Sequence, residues 1–425
     1  VANGFTKEET VAFDQLLEGF NDAVVATKMA KVYKTNQETM ERGGDVIWRP
    51  QPYIMTSYSG GGDMSSNFKD VTQLSVPASI DTQQTAPWTL TAKQLRDALQ
   101  EGRLGDGAKQ KLASDINVTL MNTAAAYGSI VLKRTVAATG FDDISLADAT
   151  MNELGIQEDG RVFGLSPRDY NLMAGNLASR SLYPNNKSTV AYERAYIGEV
   201  SGFQTYKMNY AKRLAAKTAV TVTINGANQY YTPAATTASS NGLARINVDN
   251  RFQTITVAVT SGTIAVGDAF TIAGVNSVHH ITKQDTGQLK TFRVTAIVTG
   301  AGGSGTITIT PPIISNGGST NAEAQYQNVT ATPADGAAIT FLNTVAASQN
   351  VFWAGDVMEI LPGRLMPATD SGLAVVRGTT DDGIELVMTR QGSINDLSTK
   401  YRLDALWGTV CTNPEMAGIE LFSQT

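Results

Sequence analysis

The sequence predicts an α+β protein: a discontinuous body of helices and strands, interrupted by an inserted antiparallel β-barrel. Three observations carry that expectation. From Ala219 to about Phe341 the chain is a series of short runs rich in Val, Ile and Thr: TAVTVTING (218–226), RFQTITVAVTSG (251–262), VGDAFTIAGV (266–275), LKTFRVTAIVTG (289–300) and GTITITPPII (305–314). Their period-2 alternation, bounded by Gly, Pro and Asn, is that of strands with one face in a core and one in water. The flanks instead mix helical periodicity with strand, and dense strand patterns resume only at QNVFWAGDVMEILPG (349–363). The body is therefore expected to join 90–217 with 342–425.

Each element has its own warrant. Residues 6–31 read as one amphipathic helix, with Val11 or Phe13, Leu16 or Leu17, Phe20 and Val24 at three- and four-residue steps. Glu8, Glu9, Asp14, Glu18 and Asp22 populate its remaining surface, either as a solvated face or as a docking face for a basic partner. From Gly43 to Trp88 the chain reads as a long hairpin: DVIWRPQPY (45–53), a Gly-rich tip SYSGGGDMSSN (57–67), and DVTQLSVPASI (70–80) as the return. Thr91 and Gln94 form a capping-box pattern. Gly102, Gly105 and Gly107 are expected to interrupt the helix that follows, which resumes as a stripe of Ala108, Leu112, Ile116, Leu120 and Ala124, extended by Tyr127.

Residues 145–155 read as a second helix capped by Ser145 and Asp148 and stopped at Gly155, and 160–166 as a buried strand. Ser166 and Pro167 then open a helix over 166–178. LYPNNKST (182–189) is expected to be a surface loop and GFQTYKM (202–208) a strand. ELVMTRQGSI (385–394) and YRLDALWGTVCTNPEMAGIEL (401–421) supply two or three further strands.

Composition narrows function. The 425 residues suit two or three domains. Only 17% are charged, against about 25% for an average domain, which leans toward surface hidden against partners. A net charge of −6 with no basic cluster gives no case for gripping a nucleic-acid backbone. Cys411 is the only cysteine, so neither an intrachain disulfide nor a thiolate metal site can form. No apolar run reaches the ~18 residues of a membrane span, and no signal-peptide pattern opens the chain; a reducing cytoplasm is the expected setting, with an assembled particle outside the cell still permitted.

Residues that could carry chemistry are few. His279 and His280, the only histidines, are adjacent and on a strand would face opposite ways, making poor joint ligands. Asp142–Asp143 and Asp381–Asp382 suit turns or caps better than a cation site. GAGGSG (300–305) lacks the Lys and Ser/Thr of a phosphate loop and reads as a hairpin turn. Cys411, among apolar neighbours, reads as a small buried hydrophobe. No catalytic residue, cofactor or metal is expected. Tyr230 and Tyr231 keep open an adhesive or carbohydrate-binding module, because aromatic rings stack on sugars.

One set of motifs points further. V-D-N-R-F-x-T at Val248–Thr254, G-D-x-x-x-I-A-G-V at Gly267–Val275, N-V-F-W-A at Asn350–Ala354 and the earlier GDVIWRPQP resemble, in order and spacing over most of the chain, the major capsid proteins of short-tailed phages of the P22 type. The resemblance implies a body of the HK97-like major capsid fold. In its terms 1–42 is an N-terminal arm, 43–88 the extended E-loop, 89–139 the spine-helix region, 140–217 the first part of the axial domain, 218–341 the inserted barrel and 342–425 the axial and peripheral remainder. It also implies hexamers and pentamers of this chain closing an icosahedral shell around double-stranded DNA held without sequence readout. A scaffolding protein would assist assembly in the host bacterial cytoplasm, a portal protein would occupy one vertex, and no membrane is involved.

The loop 228–245 matches the family's D-loop, which reaches a neighbouring capsomer. Tyr230, Tyr231, Asn241, Arg245 and Asp249 are its contact candidates, and its low charge favours polar or backbone pairing. Glu8, Glu9, Asp14, Glu18 and Asp22 become candidates for docking the scaffold.

Overall fold

The computed structural model describes residues 7–33, 46–51, 68–91, 98–179, 197–217, 220–298, 303–367 and 373–425, with single positions at 55, 57, 63, 65 and 93. The helix expected over 6–31 is two: α1 (Lys7–Ala23) and α2 (Ala26–Met29). β-Branched Val24 and Val25 lie at the break, and the amide of Ala26 donates to Asn117 Oδ1 (2.9 Å). Phe13, Leu16, Phe20 and Val24 are buried, whereas Val11 is half exposed. β1 (Lys31–Val32), β2 (Val46–Pro50) and β3 (Ser75–Ser79) follow, β2 pairing with β3. Most of the Gly-rich tip lies outside the described residues.

β4 (Thr82–Thr91) takes Thr91 as its last residue, opposite Ser398, so Thr91 belongs to a strand; Gln94 lies outside the described residues. α3 (Ala98–Tyr127) then runs unbroken through Gly102, Gly105 and Gly107, correcting the expected interruption. Each glycine costs a helix about 1 kcal/mol. Burial of the stripe Ala108, Leu112, Ile116, Leu120 and Ala124 offsets that.

After β5 (Ile130–Lys133), α4 (Phe141–Glu153) starts four residues before the expected cap. Asp143, not Ser145, holds its N-terminus by accepting from the amides of Thr139 (2.6 Å) and Gly140 (3.0 Å), while Asp148 pairs with Arg161. Gly155 ends the helix as expected, at φ +78°. β6 (Val162–Leu165) is fully buried, and α5 (Pro167–Ser179) opens with Ser166 Oγ accepting from the Asp169 amide. The predicted loop 182–189 lies outside the described residues.

β7 (Glu199–Val200), β8 (Phe203–Lys207) and β9 (Arg213–Leu214) lead to β10 (Thr221–Ile224). β11 (Thr236–Ala238) and β12 (Arg245–Asn247) form a separate hairpin. β13 (Gln253–Ser261), β14 (Ala269–Val278), β15 (Asp285–Ile297), β16 (Gly303–Thr310), the short helix α6 (Asn321–Tyr326) and β17 (Ala338–Phe341) complete the insertion. The barrel closes in the order β10-β13-β16-β15-β14-β17. β17 was not legible as a strand in advance, yet it seals the barrel by pairing with both β10 and β14. Val257, Ile272, Val294, Ile307 and Ile339 point inward around Phe270, Phe292 and Phe341.

The run 349–363 is not one strand. β18 (Ala347–Ser348) and β19 (Asn350–Trp353) end at a short 3₁₀ turn containing Gly355, at φ +60°, before β20 (Met358–Pro362) joins a different sheet. β21 (Ala374–Thr379), also unforeseen, precedes β22 (Glu385–Ser393) and β23 (Ser398–Cys411), and a turn at Pro414–Met416 separates β23 from β24 (Ala417–Leu421).

Two compact units result. Val1–Ile47, Ala78–Leu120 and Met358–Val410 carry the sheet β1-β20-β23-β22-β21, with β4 added to β23. Trp48–Pro77, Met121–Val357 and Cys411–Thr425 carry the barrel and the mixed sheet β5-β24-β19-β6-β8-β7. In that sheet Phe352 stacks on Phe163 and meets Phe203 edge-on, with α4 and α5 supplying Ile144, Met151 and Met173 to the same core.

Candidate functional site

Among the described residues, the hairpin β11–β12 carries an exposed tip above a polar joint. Its two strands pair Thr236 with Asn247 through Ala238 with Arg245. The tip, 239–244, is held by its own polar groups: Asn241 Oδ1 accepts from the Leu243 amide (3.1 Å) and Ser239 Oγ from the Ala244 amide (3.1 Å). Leu243 is 88% exposed, and Asn241, Arg245 and Ile246 are exposed around it.

The V-D-N-R-F motif builds the base of that hairpin. Asn250, buried, pins the strand stems: Oδ1 accepts from the Ala234 amide (3.0 Å) and the Tyr231 hydroxyl (3.0 Å), and Nδ2 donates to the carbonyls of Ala234 and Val248. Arg251 grips the Asp249 carboxylate with Nε (2.9 Å) and Nη2 (2.7 Å) and donates from Nη1 to the carbonyl of Cys411 (3.0 Å). Its guanidinium also lies over the rings of Tyr127 and Phe252. One arginine thereby ties the hairpin base to the end of α3 and to the chain leaving β23. Asn250 and Arg251 belong to the V-D-N-R-F motif, and their adjacency to Asp249 is the signal the sequence offers for this joint.

The G-D motif builds the neck where the chain enters and leaves the barrel. Asp268 receives the Ala265 amide (2.7 Å), Lys217 Nζ (2.7 Å) and Asn343 Nδ2 (3.1 Å). Lys217 lies on the incoming segment and Asn343 on the outgoing one, and the Lys217 amide donates to the Asn343 carbonyl (2.7 Å). A third joint is a buried ion pair: Lys290 of β15 donates to Glu415 Oε1 (2.5 Å), which also accepts from Asn328 Nδ2 (2.9 Å). Burial pushes the Glu415 carboxyl up, but Lys290 and His280 outweigh it and bring it down to about 2.

The structure separates the predicted contact residues. Tyr230 lies over Gly317, close enough that a side chain there would collide with its ring. Tyr231 packs with Leu74, Ile314 and Tyr326, and burial, reinforced by Asp249, pushes its phenol up. Tyr231 is thereby used within the chain, while Tyr230 stands half-buried beside Gly317. Asp249 is held by Arg251. Asn241 and Arg245 alone of the five stand on the exposed hairpin. Of the acidic helical set, Asp14 and Glu18 are exposed; the side chains of Glu8, Glu9 and Asp22 lie outside the described residues.

His279 and His280 occupy the turn after β14 rather than a strand. His279 Nδ1 accepts from the amides of Ile281 and Thr282 (both 3.2 Å). Burial brings His280 down to about 4. Cys411 is buried and its thiol pushed up to about 12, the behaviour of an unreactive core residue. Asp143 serves a helix cap and Asp381–Asp382 a turn closed by the Gly383 amide on Thr380 O (2.9 Å). Among the described residues no three His, Cys, Asp or Glu side chains are placed to hold a metal ion, and no helix is long and apolar enough to cross a membrane.

The fold is thus a barrel braced at three polar joints and carrying a hairpin with an exposed tip. A family model described as P22 coat protein, gene protein 5, matches residues 1–423. Among solved structures, the coat protein I-domain of CUS-3 is 43% identical over 30% of this chain and 99% of its own (TM-score 0.24). The capsid of Ralstonia phage GP4 is 8% identical over 94% of this chain and 91% of its own (TM-score 0.46), and the mature capsid of bacteriophage PhiM1 10% identical over 94% and 87% (TM-score 0.43). The family match spans nearly the whole chain, and the protein belongs to the P22 coat protein family. It is a self-assembling structural subunit of an icosahedral phage capsid, and its place is the virion shell.

Proposed function

We propose that the body is of the HK97 type, with α3 as its spine helix and the β2–β3 hairpin as the base of the E-loop. The hairpin β11–β12 is the D-loop that joins one capsomer to the next. The observation that carries this reading is the tip itself: its polar groups are satisfied locally while Leu243 is left almost wholly in water. A side chain so exposed gains only when a partner covers it. Asn241 and Arg245 flank it as the polar rim, so the contact is an apolar anchor with backbone and polar pairing.

The three joints matter for the same reason. A projecting hairpin transmits force only if its base is stiff; Asn250 holds that base through neutral hydrogen bonds and Arg251 through charge-assisted ones, while Asp268 holds the neck of the barrel. Many weak copies of one contact then add up over a closed shell. Hexamers and pentamers use ring-closing heterologous contacts. DNA inside is retained by enclosure and counterions, in keeping with the acidic net charge. The exposed Asp14 and Glu18 of α1 dock a basic scaffolding protein during assembly in the host cytoplasm, and a portal protein takes one vertex.

Replacing residues 239–244 by a two-residue Asn-Gly turn tests the central claim. The shortened subunit is expected to keep its melting temperature and to lose closed particles in electron micrographs. Particles of unchanged yield and size would overturn the role of the tip. For the scaffold contact, Asp14→Lys with Glu18→Lys is expected to weaken scaffold-dependent assembly at low salt; unchanged binding would remove that proposal.

A further inference from the structure

Arg293, on β15, is the anomaly among the buried charges. It is 1% exposed, yet no carboxylate bonds to it. Nε donates to the Gly267 carbonyl (3.1 Å) and Nη2 to Gln349 Oε1 (3.1 Å), while Nη1 has no partner among the described residues. The nearest acid, Asp268, is already engaged by Lys217, Asn343 and the Ala265 amide. The other buried cations described above are matched: Lys290 with Glu415, Arg251 with Asp249, Arg161 with Asp148. A guanidinium in this setting costs several kcal/mol unless an anion reaches it.

Arg293 lines a cavity of about 510 Å³, at which Lys212 and Arg213 are exposed. With Asp268 neutralised by Lys217, the walls carry an excess of positive charge, while the chain as a whole is acidic at −6. Aliphatic positions such as Ala125, Leu214 and Val266 complete the lining, so the cavity suits a carboxylate on a short apolar stem. A self-assembling subunit meets copies of itself at high local concentration, and those copies present exposed acids such as Asp14, Glu18 and Asp381.

We infer that this cavity is a socket for an acidic side chain of a second copy of the chain, with Lys212 and Arg213 steering it and Arg293 receiving it. The inference rests on the self-assembling reading and adds a contact separate from the β11–β12 tip. With Nε and Nη2 already engaged, Nη1 is the nitrogen left to donate a charge-assisted hydrogen bond to one carboxylate oxygen. The one-sided charge at the mouth acts mainly on association rate.

Zero-length coupling with a carbodiimide tests it, because that reagent joins an amine only to a carboxylate already in contact. Unlabelled and ¹⁵N-labelled subunits are mixed under assembling conditions, coupled and digested, and Lys212 is expected in mixed-isotope crosslinks to one acidic peptide. The paired variant Lys212→Ala with Arg213→Ala is expected to keep the wild-type melting temperature and assemble about tenfold more slowly at low salt, the difference shrinking as salt rises. Subunits that associate without such a crosslink, or a paired variant that assembles at the wild-type rate, overturn the socket and leave the shell reading intact. Wild-type subunits that never associate overturn both.

Discussion

The barrel and the sheet β5-β24-β19-β6-β8-β7 lie in the same unit and are built on opposite principles. The barrel draws all six strands from one contiguous stretch, Thr221–Phe341, and fills its interior with aliphatic and aromatic side chains. The sheet draws neighbours from positions as far apart as Ile130 and Gly418, and it buries polar side chains such as Asn350 and Glu420. Asn350 in β19 donates to Asp169 Oδ2 (2.9 Å) and accepts from the Ser166 amide (2.8 Å). Glu420 in β24 is wholly buried with neither carboxylate oxygen partnered. A local, apolar solution tolerates surface variation. A non-local, polar one makes strand order depend on a few irreplaceable side chains.

The most severe way to sharpen that contrast is to empty each core. Phe352→Ala in the sheet and Phe270→Ala in the barrel each remove a fully buried ring with aromatic neighbours, and each is expected to cost about 3–5 kcal/mol in urea unfolding. Hydrogen exchange separates them. The barrel variant should lose protection mainly across β10 and β13–β17. The sheet variant should lose it in β5, β6, β19 and β24 together, because their order is a collective property. Equal, global loss from both would dissolve the distinction.

Next in size is the ion pair joining β15 to the turn before β24. Lys290→Met leaves Glu415 without its strongest attractive partner and is expected to destabilise by about 3 kcal/mol. Adding Glu415→Gln should restore a large part of that, and a double-mutant cycle in urea reads the coupling. Because Glu415 is held down to about 2, its contribution is present above the ordinary carboxylate range and lost as pH falls through about 2.

Glu420 has the opposite sign. Burial, then the nearby Asp143 charge, pushes its carboxyl well up, with Arg134 only partly opposing. The folded protein holds a proton there that the unfolded chain releases. Stability from this group is therefore present below the unfolded value and lost as pH rises. Between pH 5 and 8 the melting temperature of Glu420→Gln is expected to fall less steeply than that of the wild type, and parallel slopes would refute the assignment. The smallest expected effect on stability is Leu243→Asp, within about 0.5 kcal/mol because the side chain touches nothing to lose, whereas particle yield is expected to drop.

Legibility followed the same divide. Five of the six barrel strands stood out by alternation, since a strand with one face in a local core writes its period into the sequence. β17 is four residues long, as β10 is, but the apolar Ala337, Ala338 and Leu342 around it mask its alternation. In the body, one apolar run changes sheet at Gly355 without a mark in the periodicity, because the strands on either side are buried along nearly their whole length and neither alternates. Gly408 is a similar case. A side chain there would strike the Ser79 carbonyl, at 2.0 Å, and only the folded approach of β3 reveals that need. Of the site, the sequence places Asn241 and Arg245 on an exposed loop, whereas the bonds of Tyr231 to Asn250 and of Asp249 to Arg251 are visible only in the folded chain.

By itself the sequence determined the existence of an insertion, the barrel's strand faces, the stripe of α3 and the membership of a coat-protein family, because all of these are written in local periodicity or in the order of motifs along the chain. Tertiary structure alone decided how β5, β6, β19 and β24 come together, that α3 passes unbroken through its glycines, and that Asp249, Asn250, Arg251 and Asp268 are braces while Arg293 is left unmatched. Those outcomes depend on which charges and backbones meet across hundreds of residues, and burial assigns their energies only once the chain has closed around them.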